Sequence, residues 1–284
     1  YSNIISFVVY NLPSLTTLSA TNILGTSAQS GGNITTNGGS TITGKGICWN
    51  KTGSPSVTNA DGSTSDGTGI GVWTATMSPL DMSTRYYVRA YATNAMGIAY
   101  GQQETFVTLK TPTIVTSAVS SIAGTTAVSG GESINTYGGT VTRKGICWST
   151  SINPTLANAN YSIETSDPGS FVGYLAGLTP GTTYYVRAFV TTNVGTGFGQ
   201  NVSFTTLSLP TVTTTSPITD ITQTTATGGG NVTSAGGGTV TARGVCWNTS
   251  TNPTTANSKT TNGSGTGSFT SSLTSLTPGT TYYV

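Results

Sequence analysis

The chain has 284 residues, a formal net charge of +2 and only 6% charged residues, and it contains 38 Gly but no His. Because the commonest general base and the commonest transition-metal ligand are both missing, we expect neither an enzyme nor a metal or cofactor site. The chain has no basic run and no apolar stretch of roughly 20 residues, so we also expect neither nucleic-acid binding nor membrane insertion.

Residues 1–9 form a largely apolar run that aligns with residues 100–108 and 198–206 and is the most apolar of the three segments. Because a strand covered on both faces has such a continuous apolar sequence, we interpret residues 1–9 as the last strand of a preceding or neighbouring domain. The run has neither the charged start nor the cleavage site of a signal peptide, so we expect any export signal to lie outside residues 1–284.

Short motifs then return with a period of about 98 residues. Gly-(Ile or Val)-Cys-Trp ends at Trp49, Trp148 and Trp247, and Tyr-Tyr-Val begins at Tyr86, Tyr184 and Tyr282. A repeat of this length is one small sandwich domain, which is large enough to bury its own core. The sequence therefore predicts sandwich domains at residues 10–108, 109–206 and 207–284, the third without its last strand.

Every repeat is predicted to consist of strands and turns. Runs of Thr, Val, Ile and Tyr are separated by Gly-Gly, Asn-Pro, Pro-Gly and Asn-Gly pairs, and no segment keeps a helical apolar period for three turns. In the second repeat the predicted strands cover residues 113–117, 125–134, 141–149, 169–175, 183–192 and 198–206, with a long loop at residues 151–167. The predicted fold class is all-β.

Residues 178–188, Leu-Thr-Pro-Gly-Thr-Thr-Tyr-Tyr-Val-Arg-Ala, return in part at residues 276–284 and resemble the corner between strands E and F of fibronectin type III domains. In that corner a Tyr ring fills the end of the sandwich and its hydroxyl bonds to upstream backbone. The resemblance assigns this role to Tyr86, Tyr184 and Tyr282. It implies tandem immunoglobulin-like or fibronectin type III-like β-sandwich domains in a rod or fibre.

The whole chain also resembles tandem modules of very long surface proteins of Bacteroidetes-type bacteria, in which Gly-Val-Cys-Trp and Tyr-Tyr-Val-Arg-Ala recur. The resemblance implies an extracellular or cell-surface location and a structural task, although this sandwich hosts many unrelated functions. We therefore expect a non-catalytic segment of an extracellular fibre or adhesin. The alternative is a carbohydrate-associated array of spacer or binding modules in a secreted multidomain enzyme.

Short segments that end in Pro join the repeats, at residues 10–13, 109–112 and 207–210. Pro fixes its own φ and keeps the preceding residue extended, so neighbouring domains are predicted to have little freedom to rotate. With strands of eight to ten residues, a domain is roughly 30 to 40 Å long and the array is a stiff rod of about 100 Å.

The ends of the chain leave two explanations open. In the first, residues 1–9 insert as a strand into the third domain of another copy, so that copies assemble head to tail into a filament. The candidate docking residues are then Ile4, Ile5, Phe7, Val8 and Val9, and the candidate acceptor residues are Tyr282, Tyr283 and Val284. In the second, residues 1–284 are a stretch of a longer array, and the neighbouring domains are covalently attached.

Each repeat has one Cys beside a Trp, in the pairs Cys48 and Trp49, Cys147 and Trp148, and Cys246 and Trp247. No Cys has a second Cys in its own repeat, so we expect buried thiols in core strands, with a disulfide between chains as the alternative. Metal binding needs clustered soft ligands, and the chain has no Cys-x-x-Cys motif. Adjacent strand residues face opposite ways, and the sequence leaves open which of the two points inward.

Aromatic residues alternate with Arg at residues 87–91 and 185–189. Such a face could stack on sugar, which makes surface glycans a second candidate partner, but it is also typical of cross-strand packing. Acidic residues lie in equivalent loops of the first two repeats, at Asp61, Asp66, Glu164 and Asp167. The third repeat has no acidic residue there, so we expect solvated charges rather than a calcium site.

Overall fold

A computed structural model describes residues 5–7, 9–164 and 167–284. Residues Ile4 and Val8 of the expected docking strand lie outside the described residues. The described strands form antiparallel sheets that face each other in pairs, which confirms the all-β class of tandem immunoglobulin-like or fibronectin type III-like sandwiches. The described part of the chain holds no helix with the length and hydropathy needed to cross a membrane.

The first domain contains strands β1 to β8, which are Ser14–Thr21, Ala28–Thr36, Gly44–Asn50, Gly62–Ser63, Gly71–Met77, Arg85–Asn94, Gly97–Tyr100 and Glu104–Val107. One sheet has the order β1-β2-β5, and the other has the order β4-β3-β6-β7, with β8 also paired to β6. Along β6 every second residue is buried, which is the pattern of a strand with one face on the core.

The second domain contains strands β9 to β16, which are Thr113–Thr116, Ala127–Asn135, Val141–Ser149, Asn160–Glu164, Phe171–Leu175, Thr183–Thr192, Thr196–Phe198 and Val202–Thr205. Its sheets repeat the first domain, with the orders β13-β10-β9 and β12-β11-β14-β15, and β16 also pairs with β14. The same chain order of paired strands therefore builds both domains.

Two expectations for the second domain are wrong. The loop expected at residues 151–167 contains β12, which pairs with β11 along its whole length. The single strand expected at residues 198–206 is interrupted after β15. At the interruption, a Cβ on Gly199 would lie 2.3 Å from the Thr116 hydroxyl oxygen, so the chain approaches β9 more closely than any other residue type allows.

The third domain contains strands β17 to β21, which are Thr211–Thr214, Ala226–Ser234, Cys246–Trp247, Ser258–Lys259 and Gly267–Leu273. Its sheets have the orders β17-β18-β21 and β19-β20. Strand β19 has 2 residues, whereas its counterparts β3 and β11 have 7 and 9. Those counterparts pair with β6 and β14, and at that place the third domain has only the isolated bridge between Asn248 and Tyr283.

Each domain has its own apolar core between its sheets. In the first two domains the buried cluster contains a Trp, the corner Tyr and a Phe of the last strand, at Trp49, Tyr86, Phe106, Trp148, Tyr184 and Phe204. The buried cluster of the third domain is Ala226, Val245, Trp247 and Leu273, and Tyr282 is only partly buried against it. The third domain, as described, is therefore less well closed than the other two.

We predict that Leu175→Ala lowers the free energy of unfolding of the second domain by about 2–5 kcal/mol, because it leaves a cavity. Leu175 is 1% exposed between the sheets. The control is Val172→Ala on the same strand, where the side chain is 56% exposed, and we expect a change below about 0.5 kcal/mol. Urea titrations followed by Trp fluorescence measure both, and equal losses would contradict the assignment of the core.

Candidate functional site

The corner tyrosines lock the connection between the two sheets of each domain. The Tyr hydroxyl accepts a hydrogen bond of 3.0 to 3.1 Å from the backbone N–H five residues upstream, in the pairs Tyr86 and Asp81, Tyr184 and Thr179, and Tyr282 and Thr277. In the third domain this bond lowers the pKa of Tyr282 below its ordinary value, because it stabilises the phenolate. The corner is therefore formed in the third domain as well.

In the first two domains a Phe of the last strand stacks on the corner Tyr. The ring centroids of Tyr86 and Phe106 are 5.9 Å apart with 22° between the planes, and those of Tyr184 and Phe204 are 5.9 Å apart with 24°. The two residues of each pair are direct cross-strand partners. Such pairs contribute about 0.5–1.5 kcal/mol beyond the area that they bury, so the last strand is part of the core.

A buried Thr, two residues after the Phe, fastens the last strand to the corner. The Thr206 hydroxyl donates to the Thr179 carbonyl at 2.7 Å and accepts from the Thr182 N–H at 2.9 Å. Thr108 makes the equivalent bonds at 2.6 and 3.0 Å in the first domain. Sequence reasoning did not single out these residues for the site, although their recurrence at the same place in two repeats was a usable signal.

In the third domain this place is a cavity of about 700 Å³. Its lining includes Leu273, Leu276 and Tyr282. In the second domain the counterparts of these residues form one buried cluster with Phe204. No described residue of the third domain takes the place of that Phe. The cavity therefore lies where the last strand of a complete domain packs.

The candidate docking residues that the structure describes pair with no described strand, and their side chains are exposed to solvent. Ile5, Phe7 and Val9 are 87, 83 and 70% exposed. Of the candidate acceptor residues, Tyr282 and Val284 line the cavity, and Tyr283 faces outward with 43% exposure. The structure thus places the two candidate sets at opposite ends of the chain, each with an apolar surface open to water.

Backbone hydrogen bonds hold the Pro-ended linkers against neighbouring domains. Leu109 and Leu207, the first residues of their linkers, each make two backbone hydrogen bonds of 3.0 to 3.3 Å to the preceding domain. The N–H of Leu109 donates to the Leu24 carbonyl, and the Leu109 carbonyl accepts from the Ser83 N–H. Leu207 makes the same bonds with the Ala123 carbonyl and the Gly181 N–H. On the side of the following domain, the Ser208 N–H donates to the Gly236 carbonyl at 2.7 Å, and the Asn11 N–H donates to the Gly38 carbonyl at 2.8 Å. The linker at residues 207–210 is therefore bonded to both of its neighbouring domains. The linker at residues 109–112 is bonded by its backbone to the first domain and contacts the second through Lys110, whose Nζ lies 3.7 Å from the Tyr137 ring centroid.

The Trp of each Cys-Trp pair belongs to the core cluster of its domain, and the Cys faces the other side of the strand. The thiols of Cys147 and Cys246 donate to the carbonyls of Pro154 and Pro253 at 3.5 and 3.3 Å. Burial raises the pKa of Cys48 and Cys147 to about 11, so very little thiolate forms at neutral pH. The three thiols are unpaired within the chain.

Sequence reasoning missed a positively charged residue, Lys or Arg, that directly precedes each Gly-(Ile or Val)-Cys-Trp motif. The side chain of Lys144 is 1% exposed, and its Nζ lies 2.8 Å from Asp167 Oδ1 and 2.6 Å from the Gly169 carbonyl oxygen. Each of these cations lies 5.1 to 5.3 Å from an aromatic ring centroid, in the pairs Lys45 and Trp73, Lys144 and Phe171, and Arg243 and Phe269. The cation holds the loop before the fifth strand against the sheet.

The acidic loops do not form a metal centre in the part of the chain that the structure describes, where no three His, Cys, Asp or Glu side chains meet. Asp66 instead accepts hydrogen bonds from the Thr64 hydroxyl at 2.6 Å and from Trp73 Nε1 at 3.2 Å. Asp167 pairs with Lys144 and keeps 59% of its side chain exposed. These carboxylates thus take part in loop structure.

The Arg residues of the aromatic faces are bonded within their own sheets. Arg89 donates its Nε–H to the Gly101 carbonyl at 2.8 Å, and its guanidinium lies 4.8 Å from the Tyr100 ring centroid. Arg187 is 4.8 Å from the Phe198 ring centroid and makes the equivalent carbonyl bond at 2.7 Å. The Arg at the centre of each aromatic face therefore lies over a ring of the neighbouring strand, Tyr100 or Phe198, and already has a hydrogen-bond partner.

Comparison with known proteins finds similar chains among solved structures. No family model and no curated protein matches the chain. Among solved structures, the chain is similar to a crystal structure of the FN1–FN3 domains of chicken CNTN1, with 15% identity and a TM-score of 0.28, over 94% of this chain and 89% of that chain. A TM-score this low does not establish a common fold, so the fold is assigned from the pairing of the strands.

We predict that Tyr184→Phe lowers the free energy of unfolding of the second domain by about 1–2 kcal/mol, because it leaves the Thr179 N–H without its acceptor. The control is Tyr174→Phe, which removes the same hydroxyl from a side chain that is 69% exposed, and it should change the stability by less than about 0.5 kcal/mol. Urea titrations compare the two variants. Equal stability of both would show that the corner bond does not hold the sheets together.

We predict that Cys48 and Cys147 react with iodoacetamide at least about a hundredfold more slowly at pH 8 in the folded chain than in the unfolded chain. Their pKa of about 11 means that the labelling rate should rise about tenfold per pH unit until about pH 11. Mass spectrometry of the labelled peptides measures each site. The less buried Cys246 provides the internal control and should react faster. Equal rates in the folded and unfolded chains would contradict burial of the thiols.

Proposed function

We propose that this chain is a structural segment of an extracellular bacterial surface fibre or adhesin, in which sandwich domains follow one another head to tail. The joint between domains carries the proposal. In the first two domains, the last strand passes into a linker whose first residue is bonded by its backbone N–H and carbonyl to the domain that it leaves. Since these bonds recur at both joints, the chain is organised as a series with a regular connection, as a shaft requires.

Side chains of two domains also touch at the first joint. Val194, in the turn after β14, lies over Gly25 of the first domain. A Cβ on Gly25 would come within 2.8 Å of Val194 Cγ1, so a larger residue at that position would displace Val194. The contact adds to the backbone bonds in limiting rotation at the joint.

The most reactive and most strongly charged side chains are engaged in contacts within the domains. Two thiols have a raised pKa, Lys144 is ion-paired beneath a loop, and the guanidinium groups of Arg89 and Arg187 are bonded to carbonyls. This use favours a non-catalytic task. It also weakens the alternative of a glycan-binding array, because the Arg at the centre of each aromatic face already lies over a ring of its own sheet, Tyr100 or Phe198.

We predict that small-angle X-ray scattering of residues 1–284 at low concentration gives a radius of gyration near 30 Å, which corresponds to a rod of about 100 Å. A compact particle of this length would give about 19 Å and would contradict the shaft. At higher concentration, electron micrographs should show filaments of uniform diameter. Retention of a monomeric chain on insoluble polysaccharide would instead favour the carbohydrate-associated alternative.

A further inference from the structure

We propose that β12 of the second domain is a site at which two copies of this chain pair side by side, edge strand to edge strand. This contact joins two shafts laterally and is separate from the order of domains along one shaft. β12 lies at the edge of its sheet, and among the described strands only β11 pairs with it. Its outer edge is therefore open to another strand.

The backbone of β12 has hydrogen-bonding groups directed away from β11. In the first domain, the Thr64 N–H donates to the Ile47 carbonyl at 2.9 Å, and Ser162 holds the place of Thr64 in the second domain. Bonds between antiparallel strands alternate along each strand. The N–H and carbonyl groups of Tyr161 and Ile163, on either side of Ser162, therefore face the open edge.

The exposed side chains at this edge are apolar in the second domain and polar in the other two. Tyr161 and Ile163 on β12, and Val172 and Tyr174 on β13, are 47 to 69% exposed. β13 is the edge strand of the other sheet and packs beside β12. The residues at the same register in the first and third domains are Ser63, Ser65, Thr74, Thr76, Lys259, Thr261, Thr270 and Ser272. The sandwich itself therefore does not require apolar residues at these positions.

The first and third domains protect the same edge against pairing. The counterparts of β12, which are β4 and β20, have 2 residues each, whereas β12 has 5. Strand β20 also contains Lys259. Short edge strands and edge lysines are devices that prevent a sheet from pairing with another chain. The second domain has neither device, and Glu164 is the one charged residue in β12 and β13.

A second copy of the chain fits this side of the domain better than an unrelated extended peptide. Two open edge strands lie side by side there, β12 in one sheet and β13 in the other, and a single peptide strand could continue only one sheet. A second copy presents the same two edges at the same spacing, so a two-fold axis lets both sheets continue. Four exposed apolar side chains are far fewer than the roughly 20–30 residues per side of a stable interface, so we expect a weak and reversible contact.

Antiparallel pairing about Ser162 makes the contact self-complementary. Tyr161 of one copy then lies opposite Ile163 of the other, on the same face of the joined sheet. Each of these pairs exchanges both of its N–H to carbonyl bonds, because the groups concerned face the open edge. Glu164 lies opposite Asn160 of the other copy, so like charges do not meet.

The first experiment measures dimerisation of residues 1–284 by sedimentation equilibrium. The double variant Tyr161→Lys, Ile163→Thr has the residues of the third domain and should raise the dissociation constant of the dimer at least about tenfold, because it removes the apolar cross-strand pairs and places Lys on the edge. The matched control Met96→Lys, Ile98→Thr makes the same kind of change at exposed residues of the first domain, toward the opposite edge, and should stay within about twofold of the parent. A parent that stays monomeric up to about 1 mM, or an equal loss in both variants, would overturn the proposal.

The second experiment locates the contact by amide hydrogen exchange, measured by NMR on the parent below and above the dimerisation concentration. The amides of Tyr161 and Ile163 should exchange at least about tenfold more slowly in the dimer, because their N–H groups gain acceptors. The amide of Ser162, which faces β11, is the internal control and should change by less than about twofold. Dimers without protection at Tyr161 and Ile163, or with new protection confined to the two ends of the chain, would overturn pairing at β12. Either result would leave the proposed shaft standing, since that function depends on the joints between domains.

Discussion

Closure of each sandwich by its last strand is the contact on which the rest of the molecule depends. Within a few residues this strand stacks a Phe on the corner Tyr, fastens a Thr to the corner backbone and starts the linker to the next domain. The same strand therefore completes the core of one domain and positions the next domain. Where no described residue makes this contact, in the third domain, the buried core is smaller and a cavity lies beside Tyr282.

The repeat period and the long alternating runs made much of the fold predictable from sequence. Strands Val141–Ser149 and Thr183–Thr192 have the bounds that the sequence predicts, and both lie in the middle of a sheet. Strand Thr183–Thr192 buries nearly every second residue, and Val141–Ser149 buries five residues in a row. Strand Asn160–Glu164 has no such pattern, since it is an edge strand whose form comes from pairing with β11. Its existence depends on a neighbour that is distant in sequence, which local composition cannot show.

The role of a site residue was predictable where the residue stands in a recurring sequence motif. It was not predictable where the role depends on a hydrogen bond or ion pair to a residue that is distant in sequence. The corner Tyr stands in a recurring motif, and its acceptor role depends on a partner only five residues away. The bonds of Thr206 to the corner, and of Lys144 to Asp167, join residues more than twenty positions apart. Which side of the strand Cys147 faces is likewise set by the layers packed on either side, and the sequence left that choice open.

The position of the linkers determines how a domain carries mechanical load. The chain enters the second domain at β9, in one sheet, and leaves it from β16, in the other. Tension applied through the two joints pulls β9 along β10 and β16 along β14, parallel to the strands and across their hydrogen bonds. Several bonds then resist together in shear instead of opening one after another, so each domain acts as a tensile link whose strength is set at its first and last strands.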